Sequence, residues 1–221
     1  MKLSTEDQAR IKAAIGKAES KTSGEIATAF VGESYDYAIY ELLFAVVIGF
    51  IYFAVMLLFS NQVDSWLAQK FWNYNSSYLL GFYGFSTFLV ITVVYLLANL
   101  PLIDRLIVSK KIRQRKVHER ALRHFVESGV YNTVHRTGIL IFISALEHRV
   151  ELLADTGINQ LIPQEDWNKI VEQIVQGIKL KQPADYLIKA IEDCGKLLAE
   201  NFPIQAEPIN ELADEITILE R

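Results

Sequence analysis

Five charged residues flank short apolar runs of the kind that form strands, and they could do chemistry together: Glu25, Arg136, Glu147, Arg149 and Asp155. Carboxylates that converge at strand ends can bind a hard cation through their oxygens. A planar guanidinium can hold a phosphate through paired hydrogen bonds. The residue types therefore predict Asp155, Glu25 and Glu147 as ligands of Ca²⁺ or Mg²⁺, and Arg149 and Arg136 as phosphate-binding residues.

Each of these candidates also has an ordinary structural interpretation. Asp155 can cap its own turn through its side chain, and Glu147 with Arg149 can form a solvated turn. Glu165 and Asp166, which begin the following helix, can add to the site or stabilise the positive end of the helix dipole. The sequence leaves these alternatives open.

Several enzyme classes are disfavoured by what the sequence lacks. The triplet Asp155–Gly157 matches the aspartic protease motif, but those enzymes need two such aspartates, and this chain has one copy in predominantly helical surroundings. The four histidines do not have the spacing of a zinc-binding HExxH helix. A phosphate-binding glycine loop and a nucleophile elbow are also missing, which disfavours a conventional NTPase or α/β-hydrolase.

The elements that would position the candidate site can be predicted from pattern. Ser4–Asp7 has the form of a capping box and precedes a helix with apolar residues at helical spacing. Residues 25–31 are rich in strand formers. The nearly continuous apolar run 137–144 is typical of a strand covered on both faces, and its tight connection to 150–154 predicts an antiparallel hairpin.

Further helices are predicted over residues 104–128, from Pro163 and from near Pro183, with an edge strand at 216–219. This alternation of helices and strands predicts an α/β fold, namely a three-layer α/β/α sandwich with a small mixed sheet. Cys194 falls on the apolar stripe of the last helix, so we expect a small core residue rather than a nucleophile.

Two apolar runs without charged residues interrupt this domain, Leu42–Phe59 and Tyr78–Leu100. Each is close to the length of about 20 residues that a helix needs to cross a bilayer. We therefore predict a two-helix transmembrane hairpin rather than two buried core helices. The predicted organisation is residues 1–37 for the first helix and strand, 38–103 for the hairpin, 104–203 for the rest of the domain and 204–221 for an acidic tail.

The distribution of charge predicts which way the hairpin is oriented. Residues 105–123 contain eight basic residues against one acidic residue, whereas the loop 60–77 contains one of each. Cytoplasmic flanks of membrane helices carry excess Lys and Arg, so we expect an inner-membrane protein whose soluble domain faces the cytoplasm. The basic segment can also rest on anionic lipid head groups. Nucleic-acid binding is not expected, because the rest of the domain is acidic.

Several segments together resemble the TPM domain family, in its bacterial membrane-inserted branch: Glu19–Ile26, Thr137–Ser144, Glu147–Val150, Ala154–Ile158, Phe202–Pro203 and Asn210–Asp214. They follow the family's order and cover nearly all of the soluble chain. The resemblance implies an α/β/α sandwich with a compact mixed sheet. Within the family, some domains bind calcium or another divalent ion, some plant relatives are described as acid phosphatases, and others assist membrane complexes.

Two functions follow as hypotheses. The first is a non-catalytic adaptor or assembly and maintenance factor for a membrane protein complex, with an optional structural divalent cation. The resemblance implies a LemA-like membrane protein as its partner, because bacterial members often accompany such proteins. The second is a metal-assisted acid phosphatase of low activity, in which a bound cation polarises a phosphoryl oxygen and activates water.

Overall fold

The computed structural model describes residues 3–180, 182–204 and 210–220. The chain divides into two compact units, one formed by Met1–Tyr35 with Lys111–Arg221 and the other by Asp36–Lys110. We refer to these as the α/β unit and the hairpin unit. Within the acidic tail predicted from the sequence, residues 205–209 and 221 lie outside the described part of the chain.

The described residues form nine α-helices and four strands. In chain order these are α1 (Thr5–Glu19), β1 (Glu25–Val31), α2 (Ala38–Leu58), α3 (Ser60–Lys70), α4 (Ser76–Ala98), α5 (Pro101–Ile107), α6 (Lys110–Glu127), β2 (Gly138–Ser144), β3 (Arg149–Ala154), α7 (Thr156–Asn159), α8 (Gln164–Lys179), α9 (Pro183–Asn201) and β4 (Thr217–Leu219), with a 3-10 turn at Val130–Asn132. The predicted capping box starts α1, because the Ser4 hydroxyl accepts from the Asp7 N–H at 3.0 Å.

The sheet of the α/β unit is small and mixed, with the strand order β3-β2-β1-β4. β1 runs parallel to β2, so that Glu25 lies opposite Gly138 and Val31 opposite Ser144. β2 and β3 form the predicted antiparallel hairpin, and β4 pairs in parallel with β1 as the predicted edge strand. The α/β class and the mixed sheet predicted from the sequence are thus confirmed.

Apolar residues on opposite faces of the sheet belong to two separate hydrophobic clusters. The larger cluster joins Ile26, Ile139 and Ile141 to apolar residues of α1, α8 and α9. The smaller cluster joins Leu140 and Phe142 to Val117, Ala121 and Phe125 of α6. Because successive side chains of β2 enter different clusters, all seven residues of this strand are buried.

The hairpin unit contains two helices, α2 and α4, that are long and apolar enough to cross a membrane. Only 17% of the most apolar window of α2 and 6% of that of α4 is buried, whereas a core helix of a soluble protein would be mostly covered. The two helices pack closely at Gly49, where an added Cβ would overlap the side chain of Ile91.

Two local predictions need correction. The connection between the apolar runs was expected to be a loop, but Ser60–Lys70 forms α3, with Val63, Trp66 and Leu67 at helical spacing. The single helix expected over 104–128 is divided into α5 and α6, because Val108 adopts an extended conformation. β-branched residues have reduced helix propensity, and this interruption lacks the glycine or proline that would have indicated it.

The two points at which the hairpin unit interrupts the α/β unit lie near each other. The ammonium group of Lys116 sits 4.1 Å from the centre of the Tyr35 ring, and Lys116 is only about 7.5 Å along α6 from Lys111 at 1.5 Å per residue. Tyr35 and Lys111 are the residues of the α/β unit that flank the interruption. A short connection can therefore replace the whole hairpin unit.

We expect a chain in which a six-residue Gly-Ser linker replaces residues 36–110 to fold without detergent. We expect this because both hydrophobic clusters are made entirely by residues of the α/β unit. Circular dichroism should show mixed helix and strand with one cooperative thermal transition. An insoluble product, or a soluble one without a cooperative transition, would contradict an independently folding unit.

Candidate functional site

The register of the sheet places the five candidate residues at the two opposite ends of its strands. We call these two ends the first edge and the second edge. At the first edge β1 and β2 begin and β3 ends, which brings Glu25, Arg136 and Asp155 to the same side. At the second edge β1 and β2 end and β3 begins, and Glu147 and Arg149 lie there. Six residue steps of β2, or about 20 Å at 3.3 Å per residue, separate the two edges. The five residues do not form one site.

Asp155 at the first edge serves as a helix cap. It has extended backbone angles before α7, and its carboxylate accepts from the Thr156 N–H at 2.6 Å and from the Thr156 hydroxyl at 3.1 Å. Its own N–H donates to the Gly138 carbonyl at 2.9 Å, which ties the cap to β2. The geometry of Asp155 therefore matches the turn-forming role, in which its side chain caps the start of α7.

Arg136 is the cation nearest to this cap. Its Nη1 lies 3.7 Å from Asp155 Oδ2, and the same nitrogen donates to the Tyr131 carbonyl. Arg136 has a left-handed φ of 56°, a conformation that costs a residue with a Cβ roughly 1–2 kcal/mol. Its guanidinium is half exposed, and its partners are the Asp155 carboxylate and the Tyr131 carbonyl. These contacts connect residues of the first edge to one another.

Glu25 belongs to a group of four carboxylates that the sequence analysis did not assemble, which we call the acidic cluster: Glu19, Glu25, Glu211 and Asp214. Glu25 accepts from the Leu212 N–H at 3.2 Å, and Glu19 accepts from the Ile26 N–H at 2.7 Å. Glu211 accepts from the Val134 N–H at 3.0 Å. These hydrogen bonds attach the C-terminal segment to the start of β1 and to the turn before β2.

Two carboxyl groups of the acidic cluster, those of Glu19 and Glu25, have raised pKa values. Burial is the main cause that raises the pKa of Glu19 to about 8, and the charges of Glu25 and Asp214 raise it further against the opposing Ile26 N–H. Burial likewise raises the pKa of Glu25 above its usual range, partly offset by backbone N–H donors. Folding therefore shifts the protonation equilibrium of both acids toward the neutral form, compared with the unfolded chain.

Glu147 at the second edge is buried and joins three segments of backbone. Its Oε1 accepts from the Ser34 N–H at 3.2 Å, and its Oε2 accepts from the Ser144 hydroxyl. The Ser34 hydroxyl donates to the Ser144 hydroxyl at 2.8 Å. Because only 4% of Glu147 is exposed, the solvated turn considered from the sequence is wrong for this residue. Glu147 instead connects the end of β1 to the β2–β3 turn.

Arg149 pairs with a carboxylate that the sequence analysis did not consider. Its Nη2 lies 3.1 Å from Glu151 Oε1, and the other oxygen of Glu151 lies 3.2 Å from His118 Nδ1. Arg149 and Arg136 are on opposite edges of the sheet, so they cannot hold one phosphate together. Phosphate binding by either arginine alone stays a prediction.

A single cation site made by the three predicted ligands does not fit this geometry. Glu147 lies at the opposite edge from Glu25 and Asp155, and all three accept hydrogen bonds from nearby backbone N–H groups. Across residues 3–180, 182–204 and 210–220, no group of three or more His, Cys, Asp or Glu side chains is arranged to hold a metal ion.

The acids at the start of α8 and the single cysteine also have structural rather than chemical roles. Asp166 in the first turn of α8 pairs with Lys169 at 2.9 Å, and Glu165 lies in the same turn, where acids stabilise the helix dipole. Cys194 is fully buried in the larger hydrophobic cluster. Burial raises the pKa of its thiol to about 12, so it is a core residue, as predicted.

The fold and its apolar helices define the class of this protein as an α/β unit that carries an apolar helical hairpin. Among solved structures, it is similar to the NMR structure of the BA42 protein from the psychrophilic bacterium Bizionia argentinensis, with a TM-score of 0.58 and 18% sequence identity over 99% of this chain and 96% of that chain. At this identity the likeness concerns the fold alone. Neither a protein-family model nor a curated protein matches the chain.

Proposed function

We propose that this protein is a membrane-anchored, TPM-like adaptor that binds or maintains another membrane protein, with a three-layer α/β/α sandwich as its binding platform. α2 and α4 form the membrane anchor in the inner membrane, and the α/β unit faces the cytoplasm. The observation that carries the proposal is that the carboxylates predicted as metal ligands form hydrogen bonds with the backbone of the chain. Asp155, Glu25 and Glu147 each accept a backbone N–H group, and through these bonds Glu25 and Glu147 join segments that are far apart in the chain.

Chain order supports the anchor. The α/β unit is formed from residues on both sides of the hairpin unit, and β1 precedes the hairpin whereas its partner β2 follows it. An even number of membrane crossings returns the chain to its starting side, which is what this sheet requires. The excess of basic residues after α4 supports the cytoplasmic side for the α/β unit.

The adaptor role is tested by affinity purification from membranes in a mild non-ionic detergent. We expect one membrane protein to be recovered in near-stoichiometric amount, for which the TPM resemblance suggests a LemA-like protein. The matched control carries an unrelated two-helix hairpin in place of residues 36–110, and the partner should still be recovered if the α/β unit recognises it. Repeated absence of a stoichiometric partner with the natural chain would contradict the adaptor role.

The phosphatase alternative is tested on the same purified protein with the variant Asp155→Asn. Asparagine keeps an oxygen that can cap α7 but loses the ion pair with the half-exposed Arg136, so we expect a loss of folding stability of about 1 kcal/mol. We also expect no thermal stabilisation by Ca²⁺ or Mg²⁺ and no difference in phosphate release. A cation-dependent rise in Tm, together with phosphate release that Asp155→Asn abolishes, would instead favour the metal-assisted phosphatase.

A further inference from the structure

An apolar groove of about 520 Å³ lies within the hairpin unit, between α3 and the first turns of α4. Its walls are mainly apolar and aromatic, and it is lined chiefly by Trp66, Leu67, Phe71, Tyr78, Gly81 and Phe82. A volume of this size is within the range that holds one small ligand or part of a larger one. None of the proposed functions of the α/β unit uses this groove.

Two aromatic pairs connect α3 and the residue that follows it to α4 at the groove. The rings of Phe71 and Tyr78 have centroids 5.0 Å apart, and those of Trp66 and Phe82 are 6.1 Å apart. Both distances are typical of attractive aromatic contacts. Between these pairs, Gly81 presents no side chain, and a Cβ placed there would meet no atom within 4 Å. The missing side chain leaves room for a ligand.

Two polar side chains in or beside the groove have hydrogen-bond partners within the hairpin unit. The Tyr74 hydroxyl donates to the Asp64 carboxylate, and the Asn75 side chain accepts from the Ser77 N–H at 2.9 Å to cap α4. The surface that lines the groove is mainly apolar. Water in such a groove is unfavourable compared with an apolar occupant.

The position of the groove identifies its occupant. It lies where α4 begins, and an exposed apolar stripe continues from it along the same helix through Phe85, Phe88 and Leu89. Trp66, Phe71 and Tyr78 are each between 41% and 50% exposed, and Trp and Tyr are enriched where a membrane helix meets the head-group region. The groove is therefore continuous with the surface that lipid tails would cover.

We infer that the groove between α3 and α4 is a binding site for one acyl chain of a phospholipid, which enters from the lipid-facing side of α4. α3 then lies in the interface with Val63, Trp66 and Leu67 toward the apolar region, as an interfacial amphipathic helix does. This inference rests on the proposed membrane insertion of α2 and α4. It adds a specific lipid contact to a part of the chain predicted to be a loop.

Tryptophan quenching by brominated lipid tests the site. The full chain with Trp72→Phe is reconstituted in phosphatidylcholine vesicles whose acyl chains carry bromine, and in matched vesicles without it. The same chain with Trp66→Phe as well supplies the signal of Trp167, which is subtracted. Trp66 is expected to lose most of its emission in the brominated vesicles.

Two matched glycine variants separate the groove from general lipid contact. Gly81 and Gly84 both lie in α4, and a Cβ at either meets nothing within 4 Å, but only Gly81 lines the groove. Gly81→Leu fills the groove and is expected to reduce the quenching of Trp66 at least twofold, whereas Gly84→Leu should leave it unchanged. Equal quenching in the two variants would overturn the acyl-chain site.

Vesicle flotation distinguishes failure of the site from failure of the membrane proposal. If the protein floats with the vesicles but Gly81→Leu behaves like Gly84→Leu, the groove does not bind an acyl chain and the anchor still holds. If the protein does not float and Trp66 is not quenched, both the anchor and the site are wrong. Quenching lost in Gly81→Leu alone, in protein that floats, is the result that we expect.

Discussion

Gly138→Val is expected to unfold the α/β unit or to lower its free energy of unfolding by about 3 kcal/mol or more, at the upper end of what overpacking costs. A Cβ on Gly138 would overlap the carbonyl oxygen of Val130. This neighbour is buried backbone, which cannot swing away as a flexible side chain can. Gly138 also begins the central strand β2, opposite Glu25, and its carbonyl accepts from the Asp155 N–H. The substitution should therefore disturb the whole first edge.

Gly32→Val is the matched control for this prediction. Gly32 follows β1, is exposed, and has open space where a Cβ would lie, so we expect a change of about 0.5 kcal/mol or less. Both variants are compared with the natural chain in non-ionic detergent by urea unfolding followed by circular dichroism. Equal unfolding midpoints for the two variants would show that the contact between Gly138 and Val130 does not limit the packing of the sheet.

Glu19→Gln is expected to stabilise the protein by about 2 kcal/mol at pH 9 and to change little at pH 5. A pKa raised from an ordinary value of 4.5 to about 8 means that folding favours the neutral acid. Its contribution is fully present below pH 4.5 and is lost as the pH rises toward 8. The full shift would correspond to several kcal/mol, which we reduce because the carboxyl is partly exposed and screened by solvent. Glutamine keeps the oxygen that accepts from the Ile26 N–H without the charge.

Thermal unfolding in non-ionic detergent between pH 5 and 9 measures this difference. The natural chain should lose stability across this range more steeply than Glu19→Gln, because only the natural chain must ionise Glu19. Glu6→Gln removes one exposed acid from the same helix and is the control for the loss of a single negative charge. If Glu19→Gln and Glu6→Gln both run parallel to the natural chain, Glu19 does not carry the pH dependence.

Local pattern was enough to predict most of the elements. The capping box at Ser4, the strand at Glu25–Val31 and the hairpin formed by β2 and β3 are encoded by residues close together in sequence. Helical spacing and strand alternation repeat over single elements, so they can be recognised without knowing what lies nearby in space. The apolar character of α2 and α4 is likewise a property of continuous segments.

The arrangement of the candidate site could not be predicted in the same way. Glu147 and Asp155 are eight positions apart, but they lie on opposite edges because β3 runs the length of the sheet between them. Glu25 and Leu212 are 187 positions apart and are joined by a hydrogen bond. A long-range contact of this kind depends on the path of the C-terminal segment, which no local pattern encodes.

One signal in the sequence did point to the acidic cluster. The segments Glu19–Ile26 and Asn210–Asp214 both contributed to the TPM resemblance, and they meet at the first edge. Phe202, from a third such segment, accepts from the Ser23 N–H at 3.1 Å. Residues from these three segments therefore meet at the first edge.

The central claim is that α2 and α4 span the membrane and anchor an α/β unit that faces the cytoplasm, and cysteine labelling in intact cells tests it most directly. Gln69→Cys in α3 and Lys21→Cys in the α/β unit both place an exposed thiol, and the natural chain with its buried Cys194 gives the background. With a membrane-impermeant maleimide, the account predicts labelling of Gln69→Cys in intact cells and of Lys21→Cys only after lysis. Labelling of Lys21→Cys in intact cells would contradict it.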